Sequence, residues 1–171
     1  MGKPIQYLVV GFPYSGKTTL AKELERRLGW ARINVDEFKF NRGYTEVRDD
    51  DVPDNVWEEI FGEIDDLIVK YLKEGKNIVN EYAWITREWR SRARRVAKDA
   101  GFETRLIYIK VPKEIVRDRW QENIKTKSRF NMPEAEFLRS FGEFEEPTAD
   151  EDTIIYDQTI HLDRWIEQNL V

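Results

Sequence analysis

The sequence predicts a three-layer α/β/α fold with a five-stranded parallel sheet, and three observations lead to it. Short apolar runs that suit buried strands alternate along the chain with helical patterns, which is typical of right-handed crossovers in a parallel sheet. With 171 residues, 40% of them hydrophobic and 36% charged, the chain has the size and composition of one globular domain. Since no repeat or linker interrupts the pattern, we expect residues 1–171 to form a single domain.

In the first half of the chain, apolar periodicity and glycines delimit three strands and two helices. The run 5–10 is mostly apolar and ends at a glycine, as expected of a strand buried on both faces. A helical stripe follows and ends at Gly29, where a helix C-terminus favours a residue that tolerates positive φ. Residues 31–35 then have the pattern of a second strand. Pro53 starts a long helical stripe, and the short run 77–80 is the third strand.

The second half begins with its clearest helix. Apolar residues recur there at i, i+4, i+7, i+8 and i+11 from Trp89, and the pattern ends at Gly101. The stretch 123–131 is polar, basic and without periodicity, which predicts a loop. Apolar runs and helix-starting prolines indicate the other elements: a strand over 106–109, helices over 112–122 and 133–141, a strand over 154–157 and a last helix over 162–170.

Residues 11–18 read G-F-P-Y-S-G-K-T, which matches the phosphate-binding pattern G-x-x-x-x-G-K-[ST] between a predicted strand and a predicted helix. In such a loop, backbone N–H groups surround a phosphate, glycines permit the close approach and the helix adds its positive N-terminal dipole. We therefore expect a bound nucleoside triphosphate, with Lys17 at the β and γ phosphates, Thr18 as a magnesium ligand and Thr19 as a weaker phosphate contact. The alternative is a chance glycine turn, which the flanking pattern disfavours. The candidate nucleotide-binding residues are Gly11, Tyr14, Ser15, Gly16, Lys17, Thr18 and Thr19.

Two acidic residues follow predicted strands, and the carboxyl ends of parallel strands border the ligand crevice. Asp36, after the second strand, is the candidate general base, which would accept the proton of an attacking hydroxyl; its alternative role is a helix cap. Glu81, after the third strand, is the candidate magnesium ligand, and its alternative role is capping or ion pairing. For His161, the only histidine, we expect a structural role near the start of the last helix.

Charge is unevenly distributed around the net value of -5. Residues 36–66 hold twelve acidic and three basic side chains, whereas 84–129 hold fourteen basic and six acidic ones. This segregation predicts one surface that receives anions and another that repels them, with solvated helix faces as the alternative.

Composition also excludes some function classes. The chain has no cysteine, which excludes a disulfide scaffold, a thiolate zinc site and cysteine nucleophilic catalysis and suits a cytoplasmic protein. Its first apolar run is too short for a signal peptide or a membrane span, so we expect no membrane partner.

These residues resemble a known family, the small P-loop kinases that include the kinase domain of polynucleotide kinase, zeta toxins and chloramphenicol phosphotransferase. The similarity covers nearly the whole chain. The family's Asp-x-x-Arg after strand two corresponds to Asp36 and Lys39. Its acid after strand three and the arginine nine residues later correspond to Glu81 and Arg90. Its Phe-Glu-x-Pro-x-x-x-Glu stretch corresponds to residues 144–151. The resemblance implies a nucleotide-kinase-like P-loop NTPase fold with Asp36 as catalytic base.

The resemblance further implies a lid over residues 117–131, with Arg119 as a catalytic cation in or near it. The family commonly places a second arginine four residues later, where this sequence has Asn123. Three lid cations stay open as substitutes: Lys125, Lys127 and Arg129.

Together these features predict an enzyme, a kinase that uses ATP and Mg²⁺ to phosphorylate a hydroxyl of a small molecule. We expect its acceptor side at residues 42–72 and a neutral or positively charged acceptor. That region carries clustered carboxylates, which would repel an anion such as a nucleic-acid backbone: Asp49, Asp50, Asp51, Asp54, Glu58 and Glu59. A polynucleotide 5′-hydroxyl kinase and a nucleotide-binding switch or toxin-like module with slow turnover are the alternatives. The sequence leaves the acceptor's identity, the choice between ATP and GTP and the oligomeric state open.

Overall fold

The computed structural model describes residues 2–171, in which strands and helices alternate along the chain. The elements are β1 (Ile5–Val10), α1 (Lys17–Leu28), β2 (Ala31–Asn34), α2 (Val35–Asn41), α3 (Asp54–Lys73), β3 (Ile78–Glu81), α4 (Arg87–Asp99), β4 (Glu103–Ile109), α5 (Lys113–Thr126), α6 (Glu134–Glu143), β5 (Thr153–Tyr156) and α7 (Leu162–Asn169), with 3₁₀ turns at Asp49–Asp51 and Ala149–Glu151.

The five strands form one parallel sheet in the order β2-β3-β1-β4-β5. This arrangement confirms the predicted α/β fold class. The chain leaves β1 for β2 on one side of the sheet and crosses from β3 to β4 on the other side of β1. A ligand crevice of an open parallel sheet forms where the connections diverge in this way, at the carboxyl ends of the strands. The loop after β1 occupies that position.

Both faces of the sheet are buried, which gives the hydrophobic core two halves. Val9 and Ile107 point to one half, which α1, α6 and α7 also fill. Leu8 and Leu106 point to the other half, which α3 and α4 cover. Neighbouring strand residues therefore enter opposite halves, as the two-residue period of a strand requires.

The structure differs from the predicted boundaries at two places near the ligand crevice. The second strand ends at Asn34, one residue earlier than predicted, because the Asn34 side chain accepts hydrogen bonds from the backbone N–H of Asp36 (2.9 Å) and Glu37 (3.3 Å) and so caps α2. Helix α5 continues to Thr126 and takes up the first part of the predicted loop at 123–131. Within residues 2–171 no helix is long and apolar enough to cross a membrane.

Candidate active site

The phosphate-binding loop joins β1 to α1 through backbone conformations that its glycines permit. Gly16 has φ of +105° immediately before the helix. A Cβ on Gly11 would lie 2.7 Å from Ser15 Oγ and 3.1 Å from the carbonyl oxygen of Ile109, so a larger residue there would collide with its neighbours. No side chain caps the N-terminus of α1. Its first N–H groups are therefore free to bind an anion, as the motif predicts.

Lys17 folds back over this loop. Its Nζ donates hydrogen bonds to the carbonyl oxygens of Gly11 (3.0 Å) and Phe12 (2.8 Å). Burial lowers the pKa of Lys17 to about 8, although the charges of Asp36 and Glu81 oppose this shift. The ammonium group has hydrogen-bond partners but no carboxylate within ion-pair distance among residues 2–171, which suits it to receive phosphate oxygens.

Asp36 lies in the first turn of α2, and the capping role belongs to Asn34 instead. Burial raises the pKa of Asp36 to about 6, the charge of Asp49 adds to the shift, and the cations Lys39 and Lys17 oppose it. This carboxylate therefore changes protonation near neutral pH, which is the range that a general base requires.

Glu81 ends β3 and is 2% exposed. Its Oε1 accepts hydrogen bonds from Arg32 Nη2 (2.8 Å) and from Asn34 Nδ2, whereas its buried Oε2 has no partner among the described residues. Burial raises the pKa of this carboxyl group. The predicted alternative, an ion pair, thus involves one oxygen of Glu81, a residue that lines the same cavity as Lys17 and Thr18.

The oxygen donors at this place fit a magnesium ion. Mg²⁺ keeps several waters and is usually held by one or two protein groups together with substrate phosphates. Thr18 and Glu81 line the same cavity and carry oxygen donors of this kind. Among residues 2–171 no group of three or more His, Cys, Asp or Glu side chains could hold a metal without a ligand's help.

Two cavities flank the phosphate-binding loop. One, of about 410 Å³, contains Lys17, Thr18, Asp36 and Glu81. The other, of about 760 Å³, contains Thr19 and Arg119. Of the remaining predicted nucleotide-binding residues, Gly11 lines the smaller cavity, Tyr14 and Gly16 line both, and Ser15 is fully buried. Residues of the loop thus line both cavities.

Arg119 contacts the loop from the larger cavity. Its Nη1 donates to the carbonyl oxygens of Tyr14 (3.2 Å) and Ser15 (3.1 Å), and its Nη2 donates to Gln158 Oε1 (2.7 Å). Asp36 lines the smaller cavity, so the structure does not bring Arg119 and Asp36 together. His161 also lines the larger cavity, and it accepts a hydrogen bond from the backbone N–H of Asp163 as the N-cap of α7.

Arg129 lies between the two cavities and lines both. Its guanidinium group stacks 3.9 Å from the centre of the Tyr14 ring. The Tyr14 hydroxyl donates to the carbonyl oxygen of Phe130 (3.1 Å) and accepts from the backbone N–H of Met132 (3.2 Å). Neither Lys125 nor Lys127 lines either cavity. Of the three substitute lid cations, Arg129 is the one that the fold brings next to Lys17.

The region predicted for the acceptor side, residues 42–72, lines the smaller cavity only in part. Thr45, Val47, Arg48, Asp49 and Asp50 line the cavity, but the long helix α3 does not, and α6 forms a further wall that was not predicted. Of the six carboxylates predicted to surround the acceptor, only Asp49 and Asp50 line the cavity. Its walls carry nearly balanced charge, with six carboxylates (Asp36, Asp49, Asp50, Glu81, Glu136 and Glu143) and five cations (Lys17, Lys39, Arg48, Arg129 and Arg139).

Asp49 forms hydrogen bonds with three residues from different parts of the chain at this wall of the cavity. One of its carboxylate oxygens accepts from Lys39 Nζ (2.8 Å), the other accepts from the Tyr82 hydroxyl (3.1 Å), and its backbone carbonyl accepts from Trp57 Nε1 (3.2 Å). Sequence reasoning missed Tyr82, since nothing in its local pattern shows that it faces the cavity beside Glu81.

Arg90 and Glu151, which the resemblance also selected, lie away from both cavities. Their side chains are fully buried and form a two-pronged ion pair, with Arg90 Nε and Nη2 each 2.9 Å from a Glu151 oxygen. Arg94 adds a third contact at 3.0 Å. Arg90 Nη1 donates to the carbonyl oxygens of Trp84 and Glu145. This network joins the loop after β3, which forms part of the cavity wall, to the segment before β5.

Comparison with known proteins agrees with this geometry. The model of a family described as an AAA domain matches residues 7–147. No curated protein matches the chain.

Several solved structures share the fold. An unliganded sugar kinase from Janibacter sp. HTCC2649 aligns with a TM-score of 0.70 and 18% identity, over 96% of this chain and 91% of that one. The Mycobacterium tuberculosis APS kinase CysC, in complex with AMPPNP and APS, aligns with a TM-score of 0.66 and 16% identity over 98% and 96%. A chain of the Pnkp1/Rnl/Hen1 RNA repair complex aligns with a TM-score of 0.69 and 18% identity over 84% and 44%. With the family match, these likenesses confirm the resemblance to small P-loop kinases.

Proposed function

The chain belongs to the AAA domain family, and from this premise we propose that it transfers the γ-phosphoryl group of ATP to a hydroxyl of a small molecule. The observation that carries the proposal is that Lys17, Asp36 and Glu81 line one cavity of 410 Å³, and that within residues 2–171 Lys17 forms no ion pair and Glu81 Oε2 no hydrogen bond. Each of these groups suits one partner in phosphoryl transfer: phosphate, hydroxyl proton and metal.

The donor phosphates would bind at the loop and at the N-terminus of α1. Lys17 would exchange its two carbonyl partners for β and γ phosphate oxygens. Thr18 and Glu81 Oε2 would hold Mg²⁺, which neutralises phosphate charge when bound. The nucleoside would occupy the larger cavity beside Arg119 and Thr19. The AMPPNP in the similar APS kinase supports ATP as the donor.

Asp36 would act on the acceptor. Its carboxylate takes the proton from the acceptor hydroxyl, the hydroxyl oxygen forms a bond to the γ phosphorus, and the bond from that phosphorus to the β-γ bridging oxygen breaks to leave ADP. Lys17 and Arg129 would stabilise the negative charge on the transferred group. We propose Arg129 for this role beside the predicted Arg119, because Arg129 lines the cavity of Asp36 and Lys17.

The acceptor would be small and without a large net charge. A cavity of 410 Å³ is within the range of small-molecule sites. Its walls carry six carboxylates and five cations, a balance that favours a neutral hydroxyl compound over a polyanion. The likeness to a sugar kinase supports this acceptor class.

A polynucleotide 5′-hydroxyl kinase is the second candidate, and the likeness to a chain of an RNA repair complex favours it. Such an acceptor would need a path for a phosphate backbone, and its binding would weaken steeply as salt rises.

Phosphoryl transfer to a panel of compounds would decide between these functions. The purified protein is incubated with Mg²⁺ and ATP and with neutral sugars and polyols, amino sugars, sugar phosphates and a 5′-hydroxyl oligonucleotide, at low and high salt, with Lys17→Ala as control. Saturable transfer to a neutral compound, lost in the variant, is the expected result. Salt-sensitive transfer to the oligonucleotide alone would favour the second candidate, and no transfer to any acceptor would contradict both.

A further inference from the structure

Three consecutive residues, Arg48, Asp49 and Asp50, lie in the segment between α2 and α3, which we call the acceptor loop, and they contact different parts of the cavity wall. Asp49 contacts Lys39, Tyr82 and Trp57, as described, and so attaches the loop to the floor of the acceptor side. Its neighbours Arg48 and Asp50 reach the other way, toward α6. The loop is therefore fixed on one side of the cavity and spans to the opposite wall.

The two outward residues form reciprocal ion pairs with α6. Arg139 Nη2 donates a hydrogen bond to Asp50 Oδ2 at 3.1 Å. Arg48 Nε lies 3.3 Å from Glu136 Oε1, an ion pair without a hydrogen bond, and it also lies 3.1 Å from Asp51 Oδ2 in its own segment. The loop thus supplies one cation and one anion, and the helix supplies the opposite member of each pair. All four residues line the 410 Å³ cavity. Three of them have side chains that are 51–56% exposed, which places them at its rim.

We propose that these two ion pairs, Arg48–Glu136 and Asp50–Arg139, form a clasp across the mouth of the acceptor cavity and limit the size of the acceptor. The inference rests on the proposed function, and it deepens that function by naming what the mouth admits. A compact hydroxyl compound fits beneath the closed clasp. A polynucleotide 5′ end cannot enter unless both pairs separate, because its chain continues outward through the mouth.

Two exposed ion pairs are weak enough for the clasp to open in every turnover. Exposed ion pairs are weak, and two together bias closed over open by about 2- to 30-fold. Such a bias lets solutes enter and leave. It also makes the clasp sensitive to salt, since exposed charges are screened.

The first test measures the clasp without any acceptor. Backbone hydrogen exchange is followed in residues 44–53 and 134–143 of the wild type, of Glu136→Gln/Arg139→Gln, and of the control Arg42→Gln. The control breaks an Arg–carboxylate pair with Glu63 (2.7 Å) on the same side of the molecule but outside the cavity. We expect exchange in both segments to rise about 2- to 30-fold in the double variant, and the control to leave segment 134–143 unchanged.

A charge swap separates pairing from misfolding. Asp50→Arg alone places two cations at the mouth and should accelerate exchange, whereas Asp50→Arg/Arg139→Asp restores an opposite-charge pair and should slow it again. Exchange that is the same in the wild type and the Gln double variant, or a swap that does not slow it, would overturn the clasp.

The second test measures selectivity with two probes, glucose and a short 5′-hydroxyl oligonucleotide. The ratio of phosphoryl transfer to the oligonucleotide over transfer to glucose should rise about 2- to 30-fold in Glu136→Gln/Arg139→Gln and stay unchanged in Arg42→Gln. An unchanged ratio despite faster exchange would overturn the size limit. If no compound at all is phosphorylated, the proposed function fails, and the exchange experiment still decides whether the clasp exists.

Discussion

Buried charges occur in two regions of this molecule with opposite surroundings. In the network of Arg90, Arg94 and Glu151, each carboxylate oxygen of Glu151 accepts a hydrogen bond from an arginine. At the phosphate-binding loop, Lys17 lacks a counter-charge at contact distance and Glu81 Oε2 lacks a partner within the described residues. The pKa values follow this difference. Burial raises the pKa of Asp36 to about 6. Burial would raise the pKa of Glu151 as well, but the hydrogen bonds from Arg90 and the Thr148 backbone and the charges of Arg90 and Arg94 together lower it to about 2.

The difference distinguishes ion pairs that suit a structural role from charges that suit a ligand-binding site. Satisfied buried charges connect elements of the fold and change protonation only in strong acid, so they suit a structural role. Buried charges that lack partners destabilise the folded protein and persist where a ligand supplies the missing partners. Both regions hold residues that the resemblance to small P-loop kinases selected, and partner geometry is what distinguishes their roles.

Breaking the satisfied network should give the largest loss of stability. Glu151→Gln leaves the buried guanidinium of Arg90 without a counter-charge and should lower the free energy of unfolding by about 3–5 kcal/mol in urea denaturation at pH 7. The wild-type advantage is present above pH 4.5, the ordinary carboxyl value, and declines as pH falls toward 2. Asp150→Asn, which changes an exposed pair with Arg87, is the control and should alter stability little. An equal effect of both variants would contradict the contrast.

Lys17→Ala should lower turnover at the phosphate-binding loop without lowering the stability of the fold. The lysine donates only to two loop carbonyls, so its removal should leave thermal unfolding nearly unchanged while turnover falls about 100- to 1000-fold, as for other electrostatic groups in a reaction site. Steady-state kinetics and a thermal melt measure the two effects, with exposed Lys22→Ala on the same helix as control. Unimpaired turnover would show that the loop does not serve catalysis.

Asp36→Asn tests whether this carboxylate acts on the acceptor hydroxyl or binds the metal and the nucleotide. A general base contributes to the chemical step and need not touch the nucleotide, so turnover should fall about 100-fold or more while the affinity for a non-hydrolysable ATP analogue stays the same. Kinetics and calorimetric titration measure these quantities, and exposed Asp54→Asn is the control. If affinity falls with turnover, Asp36 binds the metal or the nucleotide.

The smallest expected effect concerns the stability of the same variant. The pKa of Asp36 is about 6 in the folded protein against an ordinary 3.8, so the ionised form destabilises the fold, and this cost grows as pH rises from about 4 to 6. Asp36→Asn should therefore raise the free energy of unfolding by about 1–2 kcal/mol at pH 7 and by much less at pH 4. Urea denaturation at both pH values measures the difference. A loss of stability at pH 7 would show that Asp36, like Glu151, is a buried charge that stabilises the fold.

The order of strands and helices and the phosphate-binding loop were predictable because both depend on local patterns. Apolar periodicity and glycine positions locate β1, α1 and their connection, and the motif identifies Lys17 and Thr18 without reference to distant residues. The boundary at Asn34 was less predictable, since a capping residue at the end of a strand has no periodic signal.

Other features depend on residues far apart in the chain, and tertiary structure alone decided them. The pairing of β2 with β3 places Arg32 and Asn34 against Glu81, and the path of the chain after α5 places Arg129 over Tyr14. The packing of α6 brings Arg139 beside Asp50, one of the carboxylates that composition had suggested were uncompensated. By itself the sequence determined that a phosphate-binding motif follows a central strand. Which charges stay without partners there was decided by tertiary structure, because ion pairs and hydrogen bonds reach only a few ångströms and depend on which distant segments become neighbours.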